Sequence, residues 1–248
     1  MDRRIVRAVA CLGMLVAFLF SGPAYALLVR PVVIELTSVG SGTSSQLEVV
    51  NDRNLPMTVE VKVQNLAIPE KGAPILSPSN GDDFLIFPTI AKIPAGGRQI
   101  FRVRYIGDAT PAQSRLYEFS TTELPVSLTP GENKAKVQVL YSINSVVAVR
   151  PPKSTPEIKI AGVARGINAK GQQGLEIMFE NDGAAHGYVG GDSMVLSDGA
   201  WKKALDANAM GKAFGLGLIP PQSKRTMFLV LPEAPTSGAI LGDLKHAS

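Results

Sequence analysis

Cysteine is almost missing from this chain: Cys11 is the single thiol in 248 residues. One thiol excludes an internal disulfide framework and thiolate zinc sites. Histidine is nearly as scarce. His186 and His246 do not stand in a metal-ligand spacing such as His-x-x-x-His. His186 falls in the Gly- and Ala-bearing stretch 182–187 and reads as an exposed loop residue. His246 lies near the C-terminus, where disorder is the default. Aromatic residues make up 6% of the chain, and Trp201 with the scattered tyrosines cannot build a sugar-stacking platform. Lys and Arg do not cluster into a stripe interleaved with aromatics, which argues against a nucleic-acid partner. The chain also lacks a Gly-x-Ser-x-Gly elbow, a phosphate loop and a dinucleotide fingerprint after a strand. Asp82 with Asp83, and Asp192 with Asp198, are carboxylate pairs that turns use to cap their own backbone. These absences point away from an enzyme, a metal site, a cofactor and a small-molecule substrate.

What is present begins at the N-terminus. Arg3, Arg4 and Arg7 precede an apolar run over 8–20, and Ala24-Tyr25-Ala26 closes it. A basic start, a short apolar core and an Ala-x-Ala end form a secretory signal, with cleavage expected after Ala26. The run is short of the ~20 residues a membrane span needs. Cleavage would remove Cys11 and lower the formal charge from +4 to +2, since three arginines and Asp2 go with it. The remaining length exceeds one typical domain of ~100–150 residues, so two are expected.

Short alternating segments bounded by Gly, Pro, Asn and Ser recur along the rest, and helical periodicity is weak, which is an all-β pattern. Segments 46–50 and 58–63 alternate around the turn residues of 51–56 and predict a hairpin. Segments 100–105 and 116–124 have the same period, and 68–94 reads as loop with a strand near 84–88. The longest strand is expected over 136–149. It runs into Arg150-Pro151-Pro152, where two prolines remove ladder donors and stiffen the backbone, and the domain boundary is placed there. Strands at 158–164, 174–181, 193–196 and 225–231 follow, and such spacing suggests a sandwich in each half. The stretch 203–210 is compatible with a helical turn that the glycines from Gly211 should stop.

Three segments in order carry a family resemblance: "LLVRPVVIEL" with "SSQLEVVNDRNLPMTVEVKV", then "IPAGGRQIFRVRY", then "RLYEFSTTELP" with "VQVLYSINSVVAVRP". Together they resemble the periplasmic chaperones of chaperone–usher pilus systems. The resemblance covers 27–152, and the second half is similar only in length and rhythm. It implies two immunoglobulin-like β-sandwich domains joined at an angle, over 27–150 and 151–248 behind a signal peptide at 1–26. It also implies pilin subunits and an outer-membrane usher as partners, and a periplasmic location.

The family holds its client's terminal carboxylate with an Arg on the first strand and a Lys on the last strand of the first domain. The matching positions here are Val33 and Val146, which cannot bind a carboxylate, so Arg30, Arg102 and Arg104 are the candidate anchors. Before Leu124-Pro125 the motif also departs, with Glu118, Ser120 and Thr121. What the resemblance and the physics share is strand lending, in which an exposed strand edge completes a client's sheet. Val137, Val139, Tyr141 and Ile143 share one face of the 136–149 strand by its period of two and are the candidate subunit-binding residues. Val147 and Val149, on the same parity, are expected to pack inward. A rival reading is an immunoglobulin-like structural or adhesive surface component.

Overall fold

A computed structural model describes residues 27–79, 82–125 and 139–246. The proposed signal at 1–26, with Cys11, and the candidate Val137 lie outside the described residues. The architecture is all-β. In chain order the first half contains β1 (Leu27–Arg30), β2 (Val33–Thr37), β3 (Ser44–Asn51), β4 (Met57–Ala67), β5 (Ile75–Pro78), β6 (Phe84–Phe87), β7 (Ile90–Ile93), β8 (Arg98–Tyr105), β9 (Arg115–Glu123) and β10 (Ser142–Arg150). The second half contains β11 (Ile158–Ile167), β12 (Gln173–Asn181), β13 (Gly187–Tyr188), β14 (Ser193–Ser197), β15 (Lys202–Leu205), α1 (Ala207–Phe214), β16 (Leu218–Ile219), β17 (Ser223–Val230) and β18 (Leu241–Lys245).

The first sandwich packs sheet 1, in the order β1-β3-β8-β6, on sheet 2, in the order β2-β10-β9-β4-β5 with β7 also on β4. Alternation does the work. On β8, Phe101, Val103 and Tyr105 point inward while Arg98, Ile100, Arg102 and Arg104 point out. The inward residues meet Leu47, Val49, Met57, Val59, Phe119, Val147 and Val149 in one apolar core. Phe84 is its aromatic hub, edge-on to Tyr105, Tyr117 and Phe119 at 4.8–5.4 Å between ring centres. The second sandwich has its own core around Leu175, Ile177, Phe179, Met194, Leu196 and Met210, beneath sheets β11-β12-β17, β13-β16 and β15-β14-β18.

The two sandwiches repeat one corner. Asn51 ends β3 and donates from Nδ2 to the carbonyls of Leu55, Ile93 and Pro94, while its Oδ1 accepts from the Arg53 amide. Asn181 ends β12 and donates from Nδ2 to the carbonyls of Ala185, Ile219 and Pro220, while its Oδ1 accepts from the Gly183 amide. Both asparagines are fully buried. Each satisfies carbonyls that a chain leaving one sheet would otherwise strand away from water.

That corner corrects the hairpin expected around 51–56. β3 pairs with β1 and β8, and β4 pairs with β9, β5 and β7, so the chain crosses between sheets at Asn51 instead of turning back on its neighbour. The stretch 68–94 contains three short strands in place of one. The helix also differs from expectation. α1 runs through Gly211 because Asp206 caps it, accepting from the Ala209 amide, and Met210 is buried in the core; it stops at Gly215, whose φ is +61°. His246 is held, not loose, with Nδ1 2.9 Å from the Asp192 carboxylate and Nε2 3.0 Å from the Ile158 carbonyl. Among the described residues no helix is long and apolar enough to cross a membrane.

Candidate functional site

Strand β10 is paired along one side from Ser142 to Val149 and, among the described residues, along the other only from Val146 to Arg150. Its antiparallel ladder with β9 runs from Ser142 opposite Thr122 to Val149 opposite Arg115. On the other side β2 joins only at Val146, in parallel register with Val33, and the Val146 amide donates to the Val32 carbonyl at 2.9 Å. Backbone groups alternate in direction along a strand. Val146 faces β2, so Asn144 and Ser142 face the same way, beyond the point where β2 has begun. Among the described residues no strand pairs with their amides and carbonyls, which form a short open edge. Ser145 closes its inner end, donating from Oγ to the Pro31 carbonyl at 3.0 Å.

Apolar side chains gather at this edge. Val139 is 61% exposed and Tyr141 42%, with Leu140 between them also exposed and Val32 exposed across the gap. Tyr141 continues the ladder, its carbonyl accepting from the Glu123 amide at 2.9 Å. Its ring lies 4.7 Å from the Arg53 guanidinium, which forks onto both Glu123 oxygens at 2.8 and 3.0 Å. Ile143 is partly buried and packs on the first core, as do Val147 and Val149. The expected stripe of Val139, Tyr141 and Ile143 thus divides, two exposed before the strand settles and one turned into the sandwich.

Val33 and Val146 are direct partners across β2 and β10. Glu118 on β9 lies opposite Val146, and its Oε1 is buried without a hydrogen-bond partner among the described residues. Burial pushes its carboxyl above the usual range. This row therefore offers two aliphatic side chains and an acid where an incoming carboxylate would need a cation. The arginines are elsewhere: Arg30 on β1 and Arg102 and Arg104 on β8 stand on the outer face of sheet 1.

A second cluster escaped the sequence reading and joins the two sandwiches. His186 is fully buried, not an exposed loop residue. Its Nε2 meets both oxygens of Glu35 on β2 at 3.0 and 3.1 Å, and its Nδ1 lies 3.0 Å from Ser114 Oγ. The Tyr188 hydroxyl donates to the same Glu35, and Arg150 stands 3.8 Å away. Burial works to raise the Glu35 pKa, but hydrogen bonds from His186 and Tyr188 and the charge of Arg150 outweigh it and hold the carboxyl below its usual range. A Gly- and Ala-rich turn resembles an exposed loop in sequence; only contact with the other half buries it. The one sequence signal was an acid at position 35 between inward-facing Ile34 and Leu36. Farther out, the Thr226 amide donates to the Glu70 carbonyl at 2.7 Å and Lys71 pairs with Glu176 at 2.8 Å.

Among the described residues no group of three or more His, Cys, Asp or Glu side chains is placed to hold a metal. Residues 29–155 match the family model described as "Pili and flagellar-assembly chaperone, PapD N-terminal domain". No curated protein sequence matches the chain. Among solved structures, the class 5 fimbriae chaperone CfaA is similar at a TM-score of 0.54 and 15% identity, over 90% of this chain and 100% of that one. The CsuC–CsuE chaperone-tip adhesion subunit complex of Acinetobacter baumannii is similar at 0.50 and 16%, over 88% and 92%. The E. coli chaperone DraB is similar at 0.50 and 18%, over 83% and 85%. At such identities the likeness is one of fold: two immunoglobulin-like sandwiches.

Proposed function

We propose, for a chain that belongs to the family of pili and flagellar-assembly chaperones, that it holds a pilus subunit by lending it the open edge of β10. The chaperone role is that of the family, a folding and capping function without catalysis. The observation that carries the mechanism is the one-sided ladder at Ser142 and Asn144 beside exposed Val139 and Tyr141. An added client strand would satisfy those backbone groups, and alternate side chains would fill its apolar groove. Each apolar side chain so buried contributes about 1.5–3 kcal/mol. Val139 and Tyr141, with Val137 before them, are the groove-filling residues, and Ile143 braces the strand from the chaperone's own core.

Such a client is a pilin, and the solved CsuC–CsuE complex pairs a related fold with a tip subunit. Delivery to an outer-membrane usher would follow capture. We read 1–26 as the export signal, 27–150 and 151–248 as the two domains, and the periplasm as the place of work. The client's terminal carboxylate finds no cation at Val33 and Val146, so affinity is assigned to the strand and its apolar side chains.

Val139→Glu tests this. The side chain is exposed in the free chaperone, so the variant should melt like the parent. A carboxylate cannot enter an apolar groove without a partner, so capture of a co-produced pilin should fall at least about tenfold for the loss of one buried side chain. Full capture by a folded Val139→Glu protein contradicts the assignment, and Tyr141→Glu repeats the test one strand period on.

A further inference from the structure

The outer face of sheet 1 is cationic in an ordered way. Its cross-strand rows are Leu28, Val50 and Arg98; Arg30, Glu48 and Ile100; Gln46, Arg102 and Phe87; Ser44, Arg104 and Leu85. Among the described residues these rows hold four arginines and a single acid. Glu48 is already taken, 3.3 Å from Arg30 and 3.7 Å from Arg98. Arg102 and Arg104 have no carboxylate partner among the described residues. They stand at alternate positions of one strand, about 6.8 Å apart by the rise of a β-strand. Hydrogen-bonding Ser44 and Gln46 flank them on one side, and Leu85 and Phe87, 58% and 72% exposed, on the other. These residues line a groove of about 450 Å³.

The geometry points to a second docking surface on this groove, distinct from the β10 edge, that takes an acidic extended segment of a partner protein. Two guanidinium forks at a two-residue repeat match carboxylates at alternate positions of an extended chain, each able to form a paired charge-assisted hydrogen bond. Seated edge-on between β8 and β6, the segment would turn its carboxylates toward the arginines and its intervening apolar side chains toward Leu85 and Phe87. A positive face selects an anionic partner and steers its approach. The two-residue spacing of the guanidinium forks and the hydrogen-bonding flank of Ser44 and Gln46 favour an extended peptide over a bilayer.

The probe is a fluorescein-labelled peptide containing Glu-Phe-Glu-Leu-Glu between Gly-Ser flanks, with its three glutamates changed to glutamine as the control, followed by fluorescence anisotropy on the full exported protein. The acidic peptide should bind, the control should not, and binding should weaken as salt rises. The Arg102→Gln/Arg104→Gln double variant should weaken it about tenfold or more, as expected for two charged hydrogen-bonded pairs. Phe87→Ser should weaken it separately, and Val139→Glu should leave it unchanged, which keeps this surface distinct from the client edge. Failure of the acidic peptide to bind overturns the inference. So does equal binding of the control or by the arginine double variant. Capture of phosphatidylglycerol vesicles through Arg102 and Arg104 without peptide binding overturns it in favour of a membrane contact.

Discussion

His186 places its Nε2 3.0 Å from Glu35 Oε1 across 151 positions of sequence, tying the second sandwich to an edge strand of the first. The neighbouring parts fit this orientation. The Ser114 hydroxyl can donate to Nδ1 while its oxygen accepts the His186 amide at 3.2 Å, which leaves Nε2–H to donate to Glu35. β10, the proposed client-binding strand, ends at Arg150, which also approaches Glu35. Client edge and sandwich junction therefore share one pair of strands.

Glu35→Gln should loosen that junction. The folded-state pKa of Glu35 lies below its ordinary value, so its stabilising contribution is present above the ordinary carboxylate range and is lost as pH falls through the lowered value. The side chain is 43% exposed, so the loss is set at about 1 kcal/mol after allowance for solvent screening. Chemical denaturation of parent and variant from neutral pH down to about pH 3 checks this: the gap should be present at neutral pH and close in acid. A constant gap across that range would contradict it.

Arg53 and Glu123 form a forked pair with side chains only 21% and 6% exposed. Removing one partner leaves the other charge buried, which costs about 3–5 kcal/mol. Arg53→Met should unfold at markedly lower denaturant than the parent, and Arg53→Met/Glu123→Leu should recover part of the loss. Tyr141 should then lose its cationic neighbour and become more accessible to solvent quenchers of fluorescence in both variants.

The corner asparagines give a matched pair of tests. Asn51→Ala and Asn181→Ala each strand buried carbonyls, and each should cost about 2–3 kcal/mol, the penalty for unsatisfied buried polar groups. If the sandwiches melt separately, calorimetry should show the first variant lowering one transition and the second variant the other. A single uniform shift would mean that the two fold as one unit.

Much of this fold was legible because alternation survives burial: β8 and β9 show their inward residues at every second position. Asn51 was visible at its strand end. Its role in switching sheets was not, because two alternating runs around a polar turn look alike whether they pair or part. Short β13 and β16, two residues each, carry too little pattern to be seen. The candidate site was legible in part. Val139 and Tyr141 were picked by parity, but the same parity carried Ile143, and sequence cannot tell where a strand leaves its own core. Arg30, Arg102 and Arg104 were visible as cations, while the sheet they face was not.

The central claim is that β10 lends its open edge, and amide hydrogen exchange at Ser142 and Asn144 tests it most directly. Those two amides point away from β9 and exchange freely in the unbound protein by this account, whereas the intervening Ile143 amide is already held in the β9 ladder. Binding of the pilin should slow Ser142 and Asn144 by a hundredfold or more, roughly what about 3 kcal/mol of added hydrogen-bonded strand would give, and should change Ile143 far less. Unchanged exchange at Ser142 and Asn144 in a stoichiometric complex would contradict strand lending at this edge.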